Sequence, residues 1–316
     1  MTNAVQDYFR ELETVNRISF EYQRRIHSSL REFAILCGGE TEYDVATDAT
    51  ESDVMQYINV LRGRDLCDDT VRSYISFIRG FYSFLIERPD YDCTYNPCTR
   101  LYRKLPAGKK QTRRPFKTTM EVAALIKSIM HPRDRCVATL FAKTGIRRGE
   151  LCGLDLDDVD LDNDVLHIYK HLVDSNGVIQ PGRKNGRDVE TDIPIDPELH
   201  KVLEVYIALR PRTSNPALFL TYDGNRLGGR GVGEALQKWI TRHWGNNGNR
   251  TAEKITAHWF RAFLTYELSV NGCNPAVITA IRGDRAAKIQ DFYTMQVLGF
   301  DKIREEYLKA APVFGL

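Results

Sequence analysis

No stretch of this 316-residue chain approaches the ~18 consecutive apolar residues of a membrane-spanning helix, so contact with a membrane is not expected. The seven cysteines are an odd count, and their pattern excludes more than their number does. Cys37, Cys67, Cys93, Cys98, Cys136, Cys152 and Cys273 form neither a C-x-x-C pair nor a zinc spacing with histidine, which argues against a disulfide scaffold, a redox motif and a structural metal site. Internal repeats and low-complexity tracts are missing, and net charge is only +2. Asp7, Arg10, Glu11 and Glu13 stand where a signal peptide would be apolar. A reduced, soluble, cytoplasmic protein is expected. With 42% apolar and 27% charged residues the composition is ordinary for globular chains, and the length suits two domains of roughly 100–200 residues each.

The distribution of charge says more than its total. Between Arg100 and Lys117 the chain carries Arg100, Arg103, Lys104, Lys109, Lys110, Arg113, Arg114 and Lys117 and no acidic residue. Such a run is either a solvated, self-repelling linker or a contact surface for a polyanion. Asn96, Pro97, Pro106 and Gly108 break the helical pattern in the same stretch, so residues 89–117 are read as a basic linker between a helical domain over 1–88 and a second domain over 118–316.

Within 1–88, Ile18, Tyr22, Ile26, Leu30, Phe33 and Leu36 recur at steps of three and four, the stripe of an amphipathic helix closed by Gly38 and Gly39. Thr50 with Asp53 predicts a capped helix running to Gly63. A third helix follows Asp69, burying Ile75, Ile78, Phe81, Tyr82 and Leu85, and stops before Pro89. In the second domain the patterns predict helices over about 118–130, 133–144, 147–153, 197–209, 229–244, 256–271, 275–282, 286–295 and 300–310. Short strands are expected near 158–169 and 188–195, with turns at Asn176-Gly177 and Asn185-Gly186. The fold class is therefore mainly α with a small β-sheet (α+β).

Three segments carry chemistry. In Thr144-Gly145-Ile146-Arg147-Arg148-Gly149-Glu150-Leu151 a glycine break sets Arg147 at a helix start, where an anion is favoured; pairing with Glu150 explains the arginine equally well. His258-Trp259-Phe260-Arg261 puts a histidine and an arginine on one helix face, within reach of one phosphate. Ile281-Arg282-Gly283-Asp284 and Asp291-Phe292-Tyr293-Thr294 complete the set, although a tyrosine is more often a packing residue than a nucleophile. The carboxylates Asp155, Asp157, Asp158, Asp160, Asp162 and Asp164 lack the glycine and terminal glutamate of a calcium loop and are read as a surface between helix and hairpin.

Taken in order, T-G-x-R-x-x-E-L, H-x-x-R and a tyrosine roughly thirty residues later resemble the tyrosine recombinases (phage integrases). Lys184, in Gly182-Arg183-Lys184-Asn185-Gly186-Arg187, falls where that family has a hairpin lysine, and residues 70–79 look like part of its core-binding helical domain. The resemblance spans roughly residues 15–300. It implies a helical core-binding domain plus a recombinase catalytic domain acting on double-stranded DNA as a tetramer, without metal or other cofactor. It implies Tyr293 as the nucleophile that forms a 3′-phosphotyrosyl link, Arg147 and Arg261 as the phosphate clamp, His258 as base or hydrogen-bond partner, and Lys184 as the donor to the leaving oxygen. The basic linker (Arg103, Lys104, Lys109, Lys110, Arg113, Arg114) would cross the duplex backbone, and Arg72 and Arg79 would face a groove. The tail over 300–316 would dock on a neighbouring subunit or pack on its own domain.

One position departs from the pattern: nine residues before Tyr293, where the family has histidine or tryptophan, stands Asp284. An ionised carboxylate ~4 Å from a phosphate costs about 4 kcal/mol at an effective dielectric near 20. Asp284 is therefore expected to pair with an active-site cation or to orient His258, with Arg282 or Arg285 supplying a donor in the histidine's place. Two rival readings stay open: a type IB topoisomerase and a non-catalytic DNA-binding relative.

Overall fold

The computed structural model describes residues 4–15, 18, 20–107, 117–172, 178–182, 190–245, 255–284 and 298–316. Tyr293, Lys184, Lys109, Lys110, Arg113 and Arg114 lie outside the described residues, as do both expected asparagine–glycine turns and the expected helix over 286–295. The chain divides into two compact units, Met1–Arg113 and Arg114–Leu316. Among the described residues no helix is long and apolar enough to cross a membrane.

The first unit consists of α1 (Ala4–Thr14), α2 (Phe20–Leu36), α3 (Glu51–Gly63), α4 (Asp68–Ile86) and α5 (Thr99–Lys104). Helix α4 is its centre, with the other four packed against it. Its apolar residues recur on both sides of one stripe, and Val71, Ile75, Ile78, Phe81, Tyr82 and Leu85 are all buried. Ile26, Leu30 and Phe33 of α2 meet them, each full burial contributing ~1.5–3 kcal/mol. The outer end of the α2 stripe differs from expectation: Tyr22 is exposed, its ring edge-on to Phe77 at 5.3 Å. Thr50 caps α3 as its spacing predicts, the Asp53 carboxylate accepting the Thr50 N–H at 2.8 Å and the Thr50 hydroxyl accepting the Asp53 N–H at 3.4 Å.

Residues 93–105, within the stretch read from sequence as linker, are packed rather than extended. Cys93, Cys98 and Leu105 join the first core, and Asn96 donates to the Arg79 carbonyl at 2.9 Å and to the Ser83 hydroxyl at 3.0 Å. Helix α5 has only six residues, too few for periodicity to reveal it.

The second unit runs α6 (Thr119–Ser128), α7 (Pro132–Thr144), α8 (Arg148–Gly153), β1 (Val159–Asp160), β2 (Val165–Ile168), β3 (Lys170–Leu172), β4 (Ile179–Pro181), β5 (Thr191–Pro194), α9 (Pro197–Leu209), α10 (Gly229–Trp244), α11 (Ala257–Val270), α12 (Pro275–Arg282) and α13 (Phe300–Ala310). Helix α7 begins with proline, is buried from Cys136 through Thr144, and packs against α6, α9, α10 and α11. Strand β2 lies antiparallel between β1 and β5, with Leu166 opposite Ile193, so apolar side chains face α-helices on one side. Strands β3 and β4 form a separate antiparallel pair that the sequence patterns miss, because three residues are too few to show an alternation.

Three carboxylates of the acidic run, Asp155, Asp158 and Asp164, are paired within the same unit. Lys170 Nζ reaches Asp155 at 2.6 Å and Asp158 at 3.0 Å, Arg226 pairs with Asp155, and Asp164 meets His200 at 2.6 Å and Arg304 at 3.1 Å. The tail packs on its own domain: Tyr307, Ala310 and Phe314 enter the second core. Buried Lys143 donates to Asp196 and Glu198 at 2.6 Å each and to the Pro312 carbonyl at 2.5 Å, and Glu198 accepts the N–H groups of Phe314, Gly315 and Leu316.

Candidate active site

Four segments far apart in the chain meet at the carboxyl end of α7. Gly145 terminates that helix in the left-handed region (φ 58°), its N–H returning to the Phe141 carbonyl at 3.1 Å. A side chain there would also stand 3.2 Å from a methyl of Leu264 and 3.6 Å from the Cα of Arg261, so glycine lets α11 approach. The chain then turns into α8, with Arg147 as the residue before its first turn. Gly149, on that turn, faces the Leu172 carbonyl of β3 so closely that a Cβ would lie 2.8 Å from it. The glycines of the T-G-x-R segment thus serve close packing on two sides, and this places Arg147.

Arg147 is oriented by Glu150, which is fully buried and accepts the Arg147 backbone N–H at 3.0 Å and Nη1 at 2.9 Å. The pairing that offered an alternative explanation of Arg147 is therefore real, and it aims the guanidinium rather than consuming it. Nη2 of the same residue donates to Asp284 Oδ1 at 2.6 Å. Arg261, on α11, has a side chain only 4% exposed and donates through Nη1 to the Gly145 carbonyl at 2.8 Å. Its Nη2 donates to Asp284 Oδ1 at 2.7 Å and to the Arg282 carbonyl at 2.8 Å. Arg282 closes the group: Nε is 2.7 Å from Asp284 Oδ2, and Nη1 donates to the Thr265 hydroxyl at 3.0 Å. Three guanidiniums thus face two carboxylates, Glu150 and Asp284, and the cluster keeps a positive excess.

His258 is exposed on the first turn of α11, one turn before Arg261, and makes no hydrogen bond with the described residues. Asp284 is consequently not bonded to His258; the expectation that it pairs with site cations is the one the geometry realises, and Arg282 is one of them. Lys184 and Tyr293 fall outside the described residues. The Gly145 carbonyl and Thr265 are the supporting groups that motif reading passed over, whereas the spacing of T-G-x-R-x-x-E-L already named Glu150 as a partner of Arg147.

Two thiols and one phenol buried in the second unit are held far from ionisation. Burial pushes the Cys152 and Cys273 thiols up to about 12 and about 11, far from thiolate formation at neutral pH. Tyr307 is fully enclosed, and burial raises its phenol well above the ordinary range while the hydroxyl donates to the Lys143 carbonyl at 2.8 Å.

In the first unit, Arg72 donates to the carbonyls of Tyr102 at 3.2 Å and Leu105 at 2.7 Å. Its guanidinium and that of Arg79 lie over the Tyr102 ring at 4.5 and 4.4 Å. Arg72 therefore holds α5 in place. Arg103 and Lys104 are exposed and line a hollow with Arg100, which is paired with Glu51.

The family model described as the phage integrase family matches residues 115–296. The tyrosine recombinase XerC of Chromobacterium violaceum is 30% identical over 278 residues, 84% of this chain and 82% of the relative. XerC of Staphylococcus carnosus is 26% identical over 98% of both chains. Among solved structures, the Tn1549 transposon integrase in complex with a circular intermediate DNA superposes with a TM-score of 0.71 at 16% identity, covering 97% of this chain and 98% of that one. A lambda integrase dimer bound to a core site gives 0.62 at 14% identity over 91% of this chain and 75% of that one. At such identities the structural matches speak to the fold.

Proposed function

We propose, from the premise that this chain belongs to the phage integrase family, that it cuts and rejoins double-stranded DNA through a 3′-phosphotyrosyl intermediate on Tyr293. It is a tyrosine-type site-specific recombinase. The observation that carries the mechanism is the convergence of Arg147 Nη2 and Arg261 Nη2 on a single anionic oxygen, at 2.6 and 2.7 Å. Two guanidinium donors meeting at one point are what a phosphodiester needs, because attack at phosphorus concentrates charge on its non-bridging oxygens.

In this reading the Tyr293 phenol oxygen attacks phosphorus as the P–O5′ bond breaks. The phenolic proton passes to His258 or is stabilised by it, and Lys184 donates a proton to the departing 5′-oxygen. His258 suits that part because its exposed ring, one turn from Arg261, is open to a bound backbone. A 5′-hydroxyl of another strand then attacks the phosphotyrosine and restores the tyrosine. One phosphoester replaces another, so the exchange balances without ATP, and none of these roles calls for a metal. Glu150 and the Gly145 carbonyl hold the two guanidiniums in register, and Asp284 has its own charge paired by Arg147, Arg261 and Arg282 when no phosphate is present.

The helical domain, with residues 93–105 packed onto it, and the basic stretch that follows supply contacts to the DNA backbone, with Arg79, Arg103, Lys104, Lys109, Lys110, Arg113 and Arg114 as the cations. Four chains assemble on the paired sites. Phosphate contacts of this kind give salt-dependent affinity without sequence preference.

A nicked duplex that traps the covalent intermediate tests the reading. A denaturation-resistant adduct is expected with the native chain and none with Tyr293→Phe; an adduct that survives Tyr293→Phe would overturn the assignment. A two-site recombination assay run beside plasmid relaxation separates strand exchange from topoisomerase action.

A further inference from the structure

The turn after α12 presents two oxygens to the arginine pair, and both arginines touch both of them. Asp284 Oδ1 accepts from Arg147 Nη2 at 2.6 Å and Arg261 Nη2 at 2.7 Å; the Arg282 carbonyl accepts from Arg261 Nη2 at 2.8 Å and Arg147 Nη1 at 3.4 Å. A phosphodiester offers two non-bridging oxygens and one negative charge. This turn offers one carbonyl, one carboxylate and the same charge.

We propose that the Arg282–Asp284 turn is an internal phosphate mimic: without DNA the Asp284 carboxylate fills the anion position between Arg147 and Arg261, and the scissile phosphate must displace that carboxylate. The inference rests on the phosphate-binding role given to those two arginines. Two anions cannot share the position, since like charges that close repel strongly. A cation stays beside the displaced carboxylate: Asp284 Oδ2 lies 2.7 Å from Arg282 Nε, an ion-pair contact without hydrogen-bond geometry, and Arg282 is anchored separately on Thr265. The pivot is built in: Gly283, at φ 57°, connects the end of α12 to Asp284. Arg147 keeps Glu150 and Arg261 keeps the Gly145 carbonyl throughout, so the guanidiniums stay aimed while the carboxylate leaves. The mimic makes the site self-blocking: stray anions are refused, and only a phosphate presented with the binding energy of a whole duplex competes.

Inorganic phosphate is the probe, titrated calorimetrically into the full chain. Asp284→Asn and Asp284→Ala are each expected to bind it about tenfold or more tightly than the native chain, because a like charge has been removed from contact with the site. Adding Arg147→Ala to either variant should erase the gain. On nicked DNA, the concentration that half-saturates adduct formation should fall in the same two variants. Unchanged phosphate affinity in both, with melting curves showing folded protein, overturns the proposal, as does a gain that survives Arg147→Ala. The test is separate from the phosphotyrosyl reading: in a Tyr293→Phe background Asp284→Asn should still raise phosphate affinity although no adduct forms.

Discussion

The two units keep their interiors in different ways. Among the described residues, the buried polar side chains of the first unit are the uncharged Ser29 and Asn96, whereas the second buries Thr139 and Thr144 and the ionisable Asp134, Lys143, Glu150, Asp158, Asp196, Arg210 and Arg261. The first is an apolar bundle in which aromatic rings meet edge to face, as Phe33 meets Tyr57 and Tyr82 at 5.6 and 6.5 Å. The second is stitched by charges whose desolvation is offset by partners at hydrogen-bonding distance. Non-directional packing is enough to make a helical platform. Aiming guanidiniums at one point requires directional bonds, and those have been built into the interior.

The largest effect expected from that contrast comes from Lys143. Its ammonium is 1% exposed and holds Asp196, Glu198 and the Pro312 carbonyl. Lys143→Met leaves two carboxylates without their cation and should cost roughly 3–5 kcal/mol, read as a fall in the urea midpoint of the second unit. A loss below that of a single apolar truncation would show that the polar interior is incidental. The matching change in the first unit is Leu30→Ala, which removes a fully buried side chain and should cost about 2–5 kcal/mol. Because the two units have separate cores, its effect should stay on the first unit's transition when each unit is followed by hydrogen exchange.

The smallest effect is on acid stability. Burial would raise the Glu198 carboxyl, but Lys143 and the backbone N–H groups of Phe314 and Leu316 outweigh it and hold the group below the ordinary glutamate range. A carboxyl depressed in the folded state stabilises it above the unfolded pKa and loses that contribution as pH falls through the folded value. Exchange protection of residues 312–316 should therefore drop below the usual glutamate range while that of α2 does not. Equal loss in both would remove the distinction.

Local signals were read where the physics is local. The Thr50–Asp53 cap, the stripe of α4 and the proline and glycine that bound α7 each lie within one or two turns, so spacing alone locates them. Six-residue α5 and the β3–β4 pair escaped because neither is long enough to show a period. At the site, the motifs named Arg147, Arg261 and Asp284, and the mismatch of an acid at a phosphate site required Asp284 to be paired. Nothing in the spacing said that one carboxylate oxygen would take both arginines, nor that Lys143 would clasp a carbonyl 169 residues away.

Amphipathic spacing, caps and an ordered set of motifs were enough to specify a mainly helical chain of the phage integrase family, because each is written within short stretches of residues. The meeting of α8, α11 and the turn after α12 depended on long chain reversals, and so did the locking of the tail onto α7 and α9. Which charge faces which is settled by packing: a buried ion takes the partner that the surrounding helices bring within reach, whatever its distance along the chain.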